Sequence, residues 1–564
     1  MPSKSITNLY PLSCAQEGFW ILDQLNPRNP AFNTSAAFKL KGRLHRDAVE
    51  QSLDFLLARH ESLRTTFPVS NGVPYQYVNK HAELGIEYID LQNTPDKALD
   101  ATVEEAVTNR IRQPFRLDQE LLIRIWVIQV HPGESILVIT QHNIISDCTS
   151  LELLLEELGI CYSAFVTNQI PVLSELTLTY PDYSIQQRQK LDGRGYLRKL
   201  AYWKSHLQDC PALDLPMDGP RPRIQTFKGS SLKETYPQEK TGQLQNAATQ
   251  NEVTLFMMLL AAFKVLLSKL TGQKDIVVGT PVSGRNQTET ERMQGLFLNT
   301  LVLRTKFPED GSFKALLTKI KEVALRAYAA NIPFEKIIEE IQPERDPSRL
   351  PFFQVLINMF SESGQGLKMK ELHVEKQSLA VDYTRLDIAL YITHTSDGLG
   401  FTWTYNRDIF HRARIEEMAS QYLHLLDQII ESPEEQIDNL ILITQKTHES
   451  LENVPLSSNR TADRAALSEP EQTFLKTEES SYPKTTTEKK LVGILADVFH
   501  INAANMLNTF FEMGGHSLLA VQLLNRVRDT FRVELPLHFF FENPTIREMA
   551  TMIEELQQNQ YTKS

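Results

Sequence analysis

Cysteine is scarce in this 564-residue chain. Only Cys14, Cys148, Cys161 and Cys210 occur, and no two of them form a C-x-x-C pair or a zinc-ligand spacing. A disulfide framework and a cysteine-held zinc are therefore not expected, and a reducing, cytoplasmic setting is. No long basic stripe is present, and the formal net charge is −12 with a pI of about 5.7, which argues against nucleic acid as a partner. Long apolar runs are missing too. The most apolar stretch, Leu255–Leu267, is too short to span a bilayer and carries Lys264, so a buried core helix is expected and no membrane partner. The opening residues, M-P-S-K-S-I-T-N-L-Y, lack the apolar segment of a signal peptide.

What is present is an ordinary soluble composition, 41% hydrophobic and 23% charged. The length suggests about three or four folding units at roughly 100–200 residues each. Thr140–Ser150, T-Q-H-N-I-I-S-D-C-T-S, stands out. It follows the apolar run Ile136–Ile139, expected as a buried strand, and precedes Leu151–Phe165, expected as a helix. His142, Asn143 and Asp147 are thereby set at a strand-to-helix junction, where unpaired burial is costly.

The same periodicities organise the rest of the chain. Ser13 can cap a helix running to Leu25. Helices are expected over Arg46–Leu63, Ala101–Phe115, Val253–Leu270 (closed by Gly272) and Phe313–Ala330, and on the Ile415, Met418, Tyr422, Leu425, Ile429 face. Strands are expected over Leu121–Gln129 and Ser135–Thr140, joined by the turn cluster His131–Glu134, and over Asp275–Val278 and Gly295–Arg304. Gly279–Asn286 reads as a tight loop, and the alternation at Phe401, Trp403 and Tyr405 as a half-exposed strand. Ser457–Thr487 is rich in Ser, Thr, Glu and Lys and reads as a linker. Amphipathic helical periodicity returns over Glu488–Gln557.

Within that last segment lies F-F-E-M-G-G-H-S-L-L-A, Phe510–Ala520. Two glycines permit a tight turn. Ser517 then opens a helix, where the dipole and free N–H groups favour a phosphodiester on its hydroxyl; an isolated G-G-x-S would read as an ordinary N-cap. His516 reads as a solvated loop residue. With the downstream L-P-L-H-F-F-F-E-N-P-T-I (Leu535–Ile546), this stretch resembles the peptidyl carrier domains of non-ribosomal peptide synthetases. The resemblance implies 4′-phosphopantetheine carried covalently on Ser517.

Residues 1–440 resemble the condensation domain of the same synthetases, on seven motifs in order across about 340 residues. These are L-S-C-A-Q-E-G-F-W-I-L (Leu12–Leu22, with Gly18 where the family usually has Arg), R-H-E-S-L-R-T-T-F (Arg59–Phe67), H-N-I-I-S-D-C (His142–Cys148), Y-P-D-Y-S (Tyr180–Ser184), G-L-F-L-N-T (Gly295–Thr300), N-I-P-F-E (Asn331–Glu335) and R-D-P-S-R-L-P-F (Arg345–Phe352). The implied fold class is α/β (α+β). Two chloramphenicol-acetyltransferase-like lobes, 1–175 and 176–440, form a V around a tunnel. A linker over 441–487 and a small four-helix carrier bundle over 488–560 follow.

The family joins a carrier-bound acyl or peptidyl thioester to an amine. The resemblance therefore implies an acyltransferase that forms amide bonds, working with upstream and downstream carrier domains, a separate adenylation enzyme and a phosphopantetheinyl transferase. His142, Asn143 and Asp147 are the catalytic-loop candidates, with His142 expected to be structural. The family's second His is replaced by Asn143, which accepts a hydrogen bond but not a proton near neutral pH. Cys148 stands where the family has Gly and is expected as a small buried hydrophobe rather than a nucleophile. Asp147 is expected to pair with Arg285 between the lobes. Arg64 and Asn299 are expected to shape the site, and Glu61, Asp346 and Arg349 to be structural. No adenylation domain or G-x-S-x-G thioesterase elbow is evident. A condensation-like platform that presents the tethered chain to partners is the second reading, and ester formation or dehydration the third.

Overall fold

The computed structural model describes residues 9–344, 346–360, 366–379, 383–442 and 483–499 and, further on, 506–507, 523–524, 526–528, 530–533, 535 and 545–561. The first lobe is built on a five-stranded sheet. Its strands run in the order His373–Gln377, Asn33–Lys41, Glu134–His142, Ile123–His131 and Ile86–Asp90, antiparallel except at the last pair. Helices Arg46–Arg59 and Cys148–Val166 lie on it. Leu53, Leu56 and Leu57 of the first helix and Leu154 and Leu158 of the second bury against Ile125 and Ile139 of the sheet. Burial of each such side chain contributes roughly 1.5–3 kcal/mol.

The second lobe has a six-stranded sheet in the order Asn299–Lys306, Asp275–Val282, Val355–Phe360, Ile388–Thr395, Gly398–Asn406 and Gly229–Pro237. Helices Leu255–Thr271, Phe313–Ala329 and Arg412–Glu431 belong to its core. The apolar helix starts at Thr254, whose side chain accepts from Met257 N, and ends at Gly272 in the left-handed conformation, φ 72°. Lys264 is buried inside it and donates to Leu303 O at 2.6 Å and to Thr305 Oγ1 at 2.7 Å. Among the described residues no single helix is long and apolar enough to cross a membrane, and no group of His, Cys, Asp and Glu could hold a metal ion.

Four local expectations need correction. The strand begun at Asp275 runs on to Val282, because residues 279–282 keep pairing with Asn299–Val302. Pro281 is accommodated because the neighbouring strand on the other side meets this one only at Gly279–Leu356. Conversely, the strand expected from Gly295 begins only at Asn299. The helix expected over Arg46–Leu63 ends at Arg59 and gives way to a 3₁₀ turn, Glu61–Arg64. Finally, Gly398–Asn406 lies inside the sheet between two partners, and Thr404 and Asn406 are buried along with Phe401, Trp403 and Tyr405.

The lobes also share chain. The strand His373–Gln377 pairs with Asn33–Lys41, and Leu367 and Met369 enter the core of the first lobe, so a segment from the second half of the sequence completes the first sheet. At the other end of the first lobe, Ser13 caps Cys14–Leu25 with a reciprocal Gln16 capping box and bonds Tyr180 Oη at 2.9 Å. In the C-terminal segment, helices Thr486–Phe499 and Ile546–Tyr561 contribute Leu491, Leu495, Ile546, Met549 and Ile553 to one small core.

Candidate active site at the lobe junction

The strand Glu134–His142 delivers its last residue, His142, into a buried turn. His142 Nδ1 accepts from Ile144 N at 3.1 Å, and its ring lies edge-on to Phe32 and Phe115. Burial among these rings pushes its pKa down to about 3, so the imidazole is neutral and one nitrogen is committed to the turn. Next comes Asn143, half-buried, whose Oδ1 accepts from the Thr34 hydroxyl on the neighbouring strand. Its Nδ2 makes no hydrogen bond among the described residues.

Asp147 ends the turn and caps Cys148–Val166 through Ser150 N at 2.8 Å. The same carboxylate reaches into the second lobe. Its Oδ1 accepts from Arg285 Nη2 at 3.3 Å, and its Oδ2 accepts from Phe297 N at 2.9 Å. Both ionic side chains are about 95% buried. Arg285 also donates to Met293 O at 2.7 Å and lies 4.2 Å over the Phe297 ring. A buried pair held by such hydrogen bonds fixes geometry more than it adds net stability.

Ser150 is the residue that the motif reading missed. Its Oγ accepts from Arg285 Nη2 at 2.6 Å and from Gly295 N at 3.1 Å, and donates to Gly295 O at 2.6 Å. Gln294 Nε2 adds a bond to Ser150 O at 2.7 Å. These bonds explain why residues 295–297 are not strand: their backbone groups are used across the lobe junction instead of in a sheet ladder. Gly295 has φ +156°, and a Cβ there would stand 2.0 Å from Tyr180 Cδ2, so only glycine fits. Nothing local to Ser150 announces this role, since a serine three residues after an N-cap is unremarkable.

The remaining candidates fall elsewhere. Cys148 is exposed, not buried as expected, because it opens its helix at the lobe surface. Desolvation of the sulfur itself, followed by the charges of Asp147 and Glu152, pushes its pKa up to about 11, which works against a thiolate there. Asn299 ties its strand to the loop before Phe334, donating to Ile332 O at 2.7 Å and accepting from Phe334 N at 2.9 Å. Arg64 donates to Asn79 O at 2.8 Å and pairs with Glu61 at 3.3 Å, both within the first lobe. Asp346 accepts from Ser348 N at 2.8 Å and pairs with Arg349. Ser517 and His516 lie outside the described residues.

Two helix-covered sheets, clasped at a buried Asp–Arg pair with a polar turn at their seam, make a two-lobed α/β fold. The chain belongs to the condensation domain family, which it matches over residues 6–452, and residues 489–553 match the phosphopantetheine attachment site family. It is 36% identical over 448 residues to a linear gramicidin synthase protein of Brevibacillus parabrevis, covering 78% of this chain and 9% of that protein. It is 33% identical over 444 residues to surfactin synthase subunit 1 of Bacillus subtilis (strain 168), covering 78% and 12%. The chain thus spans about a tenth of the length of these relatives. Among solved structures, the X-domain in complex with OxyB from teicoplanin biosynthesis has the same fold, with TM-score 0.72, 24% identity and coverage of 78% and 98%. So does the first condensation domain of the calcium-dependent antibiotic synthetase, with TM-score 0.64, 20% identity and coverage of 77% and 100%.

Proposed function

We propose that this didomain transfers an acyl or peptidyl thioester to an amine acceptor, with Asn143 positioning the reactants and Ser517 bearing the phosphopantetheine arm. The amine nitrogen attacks the thioester carbonyl, the C–N bond forms, the C–S bond breaks, and the proton lost by nitrogen ends on the departing sulfur. A phosphopantetheine arm on Ser517 supplies the thiol to which a chain is esterified. The observation that carries the reading is the junction itself: Asp147, Arg285 and Ser150 hold the turn, and with it Asn143, at the meeting of the lobes.

Thr34 engages one lone pair of Asn143 Oδ1, leaving the other lone pair and the Nδ2 hydrogens for substrate. An amine with an ordinary pKa near 8 is partly neutral at physiological pH, so orientation without a base suffices for turnover. The partners in this reading are upstream and downstream carrier domains, an adenylation enzyme acting in trans and a phosphopantetheinyl transferase.

The test is transfer between phosphopantetheinylated carriers loaded with donor and acceptor, followed by intact-protein mass spectrometry. Transfer by the wild-type chain that is slowed in Asn143→Ala and raised in Asn143→His is expected; absence of transfer with every pair tried sinks the reading. The mass gained from a phosphopantetheinyl transferase vanishes in Ser517→Ala, and its persistence would place the arm elsewhere. A second reading, a non-catalytic platform that presents the tethered chain to partner enzymes, is favoured by one observation: no residue of the turn offers a free base, since His142 is buried and neutral and Asn143 cannot take a proton.

A further inference from the structure

Among the described residues, one arginine beside this seam has no carboxylate counterpart. Arg59, Arg188, Arg221, Arg285 and Arg304 each reach a carboxylate: Glu157, Glu17, Asp387, Asp147 and Asp275 respectively. Arg385 reaches none. Among the described residues its half-buried guanidinium makes no ion pair and no hydrogen bond, and lies 4.9 Å over the ring of Phe19 in the opposite lobe. The backbone around it is held firmly. Thr384 N donates to Phe227 O at 3.0 Å, and Asp387 is locked by Arg221 at 2.9 Å.

Its position relates directly to the candidate site. Phe19 meets Phe32 at a ring separation of 6.0 Å, and Phe32 meets His142 at 6.1 Å, so the guanidinium stands two rings from the catalytic turn. On the other side, Tyr391 lies within electrostatic reach of both Arg385 and Cys148. Desolvation without a compensating carboxylate lowers the pKa of Arg385 from its usual range. An unpaired guanidinium among aromatic rings is a fork of N–H donors that an incoming planar anion can satisfy.

We propose that Arg385 is the subsite that receives a carboxylate carried by one of the two chains joined at the Asn143 turn. The proposal rests on the condensation reading and sharpens it: the joined chains include an acidic residue or a dicarboxylic acyl group.

The test is equilibrium binding to the full chain of N-acetylcysteamine thioesters, which lack the phosphate of the natural arm. Glutamyl is compared with glutaminyl, and succinyl with succinamyl. Expected is at least a tenfold preference for the acid in one pair. That preference falls within twofold in Arg385→Gln and is partly kept in Arg385→Lys, with all three proteins melting at similar temperatures. Equal binding of acid and amide to wild type, or a preference that survives Arg385→Gln, overturns the assignment. It is also overturned if Arg385→Gln instead removes the gain that a 4′-phosphopantetheine thioester shows over its dephosphorylated form, since the anion is then the arm's phosphate. No turnover is needed, so a chain that binds with acid preference but never transfers would sink the condensation reading alone; failure to bind any thioester would overturn both.

Discussion

Glu335 fills the space beside Gly18: a Cβ on residue 18 would stand 2.9 Å from Glu335 Cγ and 3.1 Å from its Oε1. Position 18 is where the motif resemblance puts an arginine, and among the described residues the Glu335 carboxyl makes no ion pair, although the charge of Lys336 acts on it. It borders a cavity of about 380 Å³ lined also by Ala15, Gln187, Lys199, Asn299 and Asn331. Burial, followed by the charge of Glu17, pushes its pKa up to about 7. The folded state therefore holds a proton that the unfolded state releases near pH 4.5. Stability falls as pH rises from about 4.5 to about 7 and stays lowered above that. Glu335→Gln is expected to stabilise the chain by on the order of 2–3 kcal/mol at pH 8 and by nothing at pH 4, read from melting curves across pH. Gly18→Arg, once the flexible Glu335 side chain gives way, flattens the same window. An unchanged profile in both variants would mean that the carboxyl is not the source.

The lobe junction gives a second prediction. Asp147→Ala removes the cap on Ser150 N, the acceptor for Phe297 N and the partner of Arg285 together. A loss of about 3–5 kcal/mol is expected in urea unfolding of the condensation region. Ser150→Ala, which leaves Gly295 N and O unpaired, is expected to cost about 2–3 kcal/mol. The two share Arg285, so the double variant loses less than their sum. Strict additivity would show that they do not act as one network.

The pH dependence of transfer separates imidazole from amine chemistry. His142 stays neutral down to about pH 3 and contributes no ionisation near neutrality. Log rate is therefore expected to rise with unit slope to a plateau near pH 8, set by the acceptor amine, with no break between pH 5.5 and 7. A break near 6.5 in wild type would assign His142 a proton-transfer role that its hydrogen bonding argues against.

Lys264 supplies an opposite pH signature in the second lobe. Burial pushes its pKa down to about 7, although its ammonium is held by carbonyl and hydroxyl oxygens. Between about pH 7 and 10 the unfolded chain binds the extra proton, so this residue makes stability rise with pH across that range. Lys264→Met is expected to remove the rise, gaining on wild type by on the order of 4 kcal/mol on going from pH 10 to pH 6. If the two proteins keep a constant difference in melting behaviour, the buried ammonium is not titrating.

Much of the frame was legible from local pattern. The apolar run Ile136–Ile139 became a central strand, Leu255–Leu267 lies within a core helix bounded by Thr254 and Gly272, and Ser13 caps its helix. Each rests on neighbours within a few residues, and side-chain periodicity and cap chemistry act at that range. The Asp147–Arg285 contact was expected from the motifs, and the two side chains do meet. Errors appeared where distant partners decided the outcome. Residues 295–297 gave up a strand to bond Asp147 and Ser150, and residues 279–282 gained one from Asn299–Val302.

The sequence by itself thus placed most of the elements, the seven motifs in order, and Asn143 where the motif resemblance puts a histidine. Tertiary structure alone decided that Thr34 holds Asn143, that Ser150 works beside Asp147, that His373–Gln377 completes the first sheet, and that Arg385 lies over Phe19 with no carboxylate partner among the described residues. Each of these joins residues more than 100 positions apart, or, for Ser150, depends on such a contact. Local periodicity carries no information about such pairs; they arise only when two lobes close and every buried polar group must find a partner.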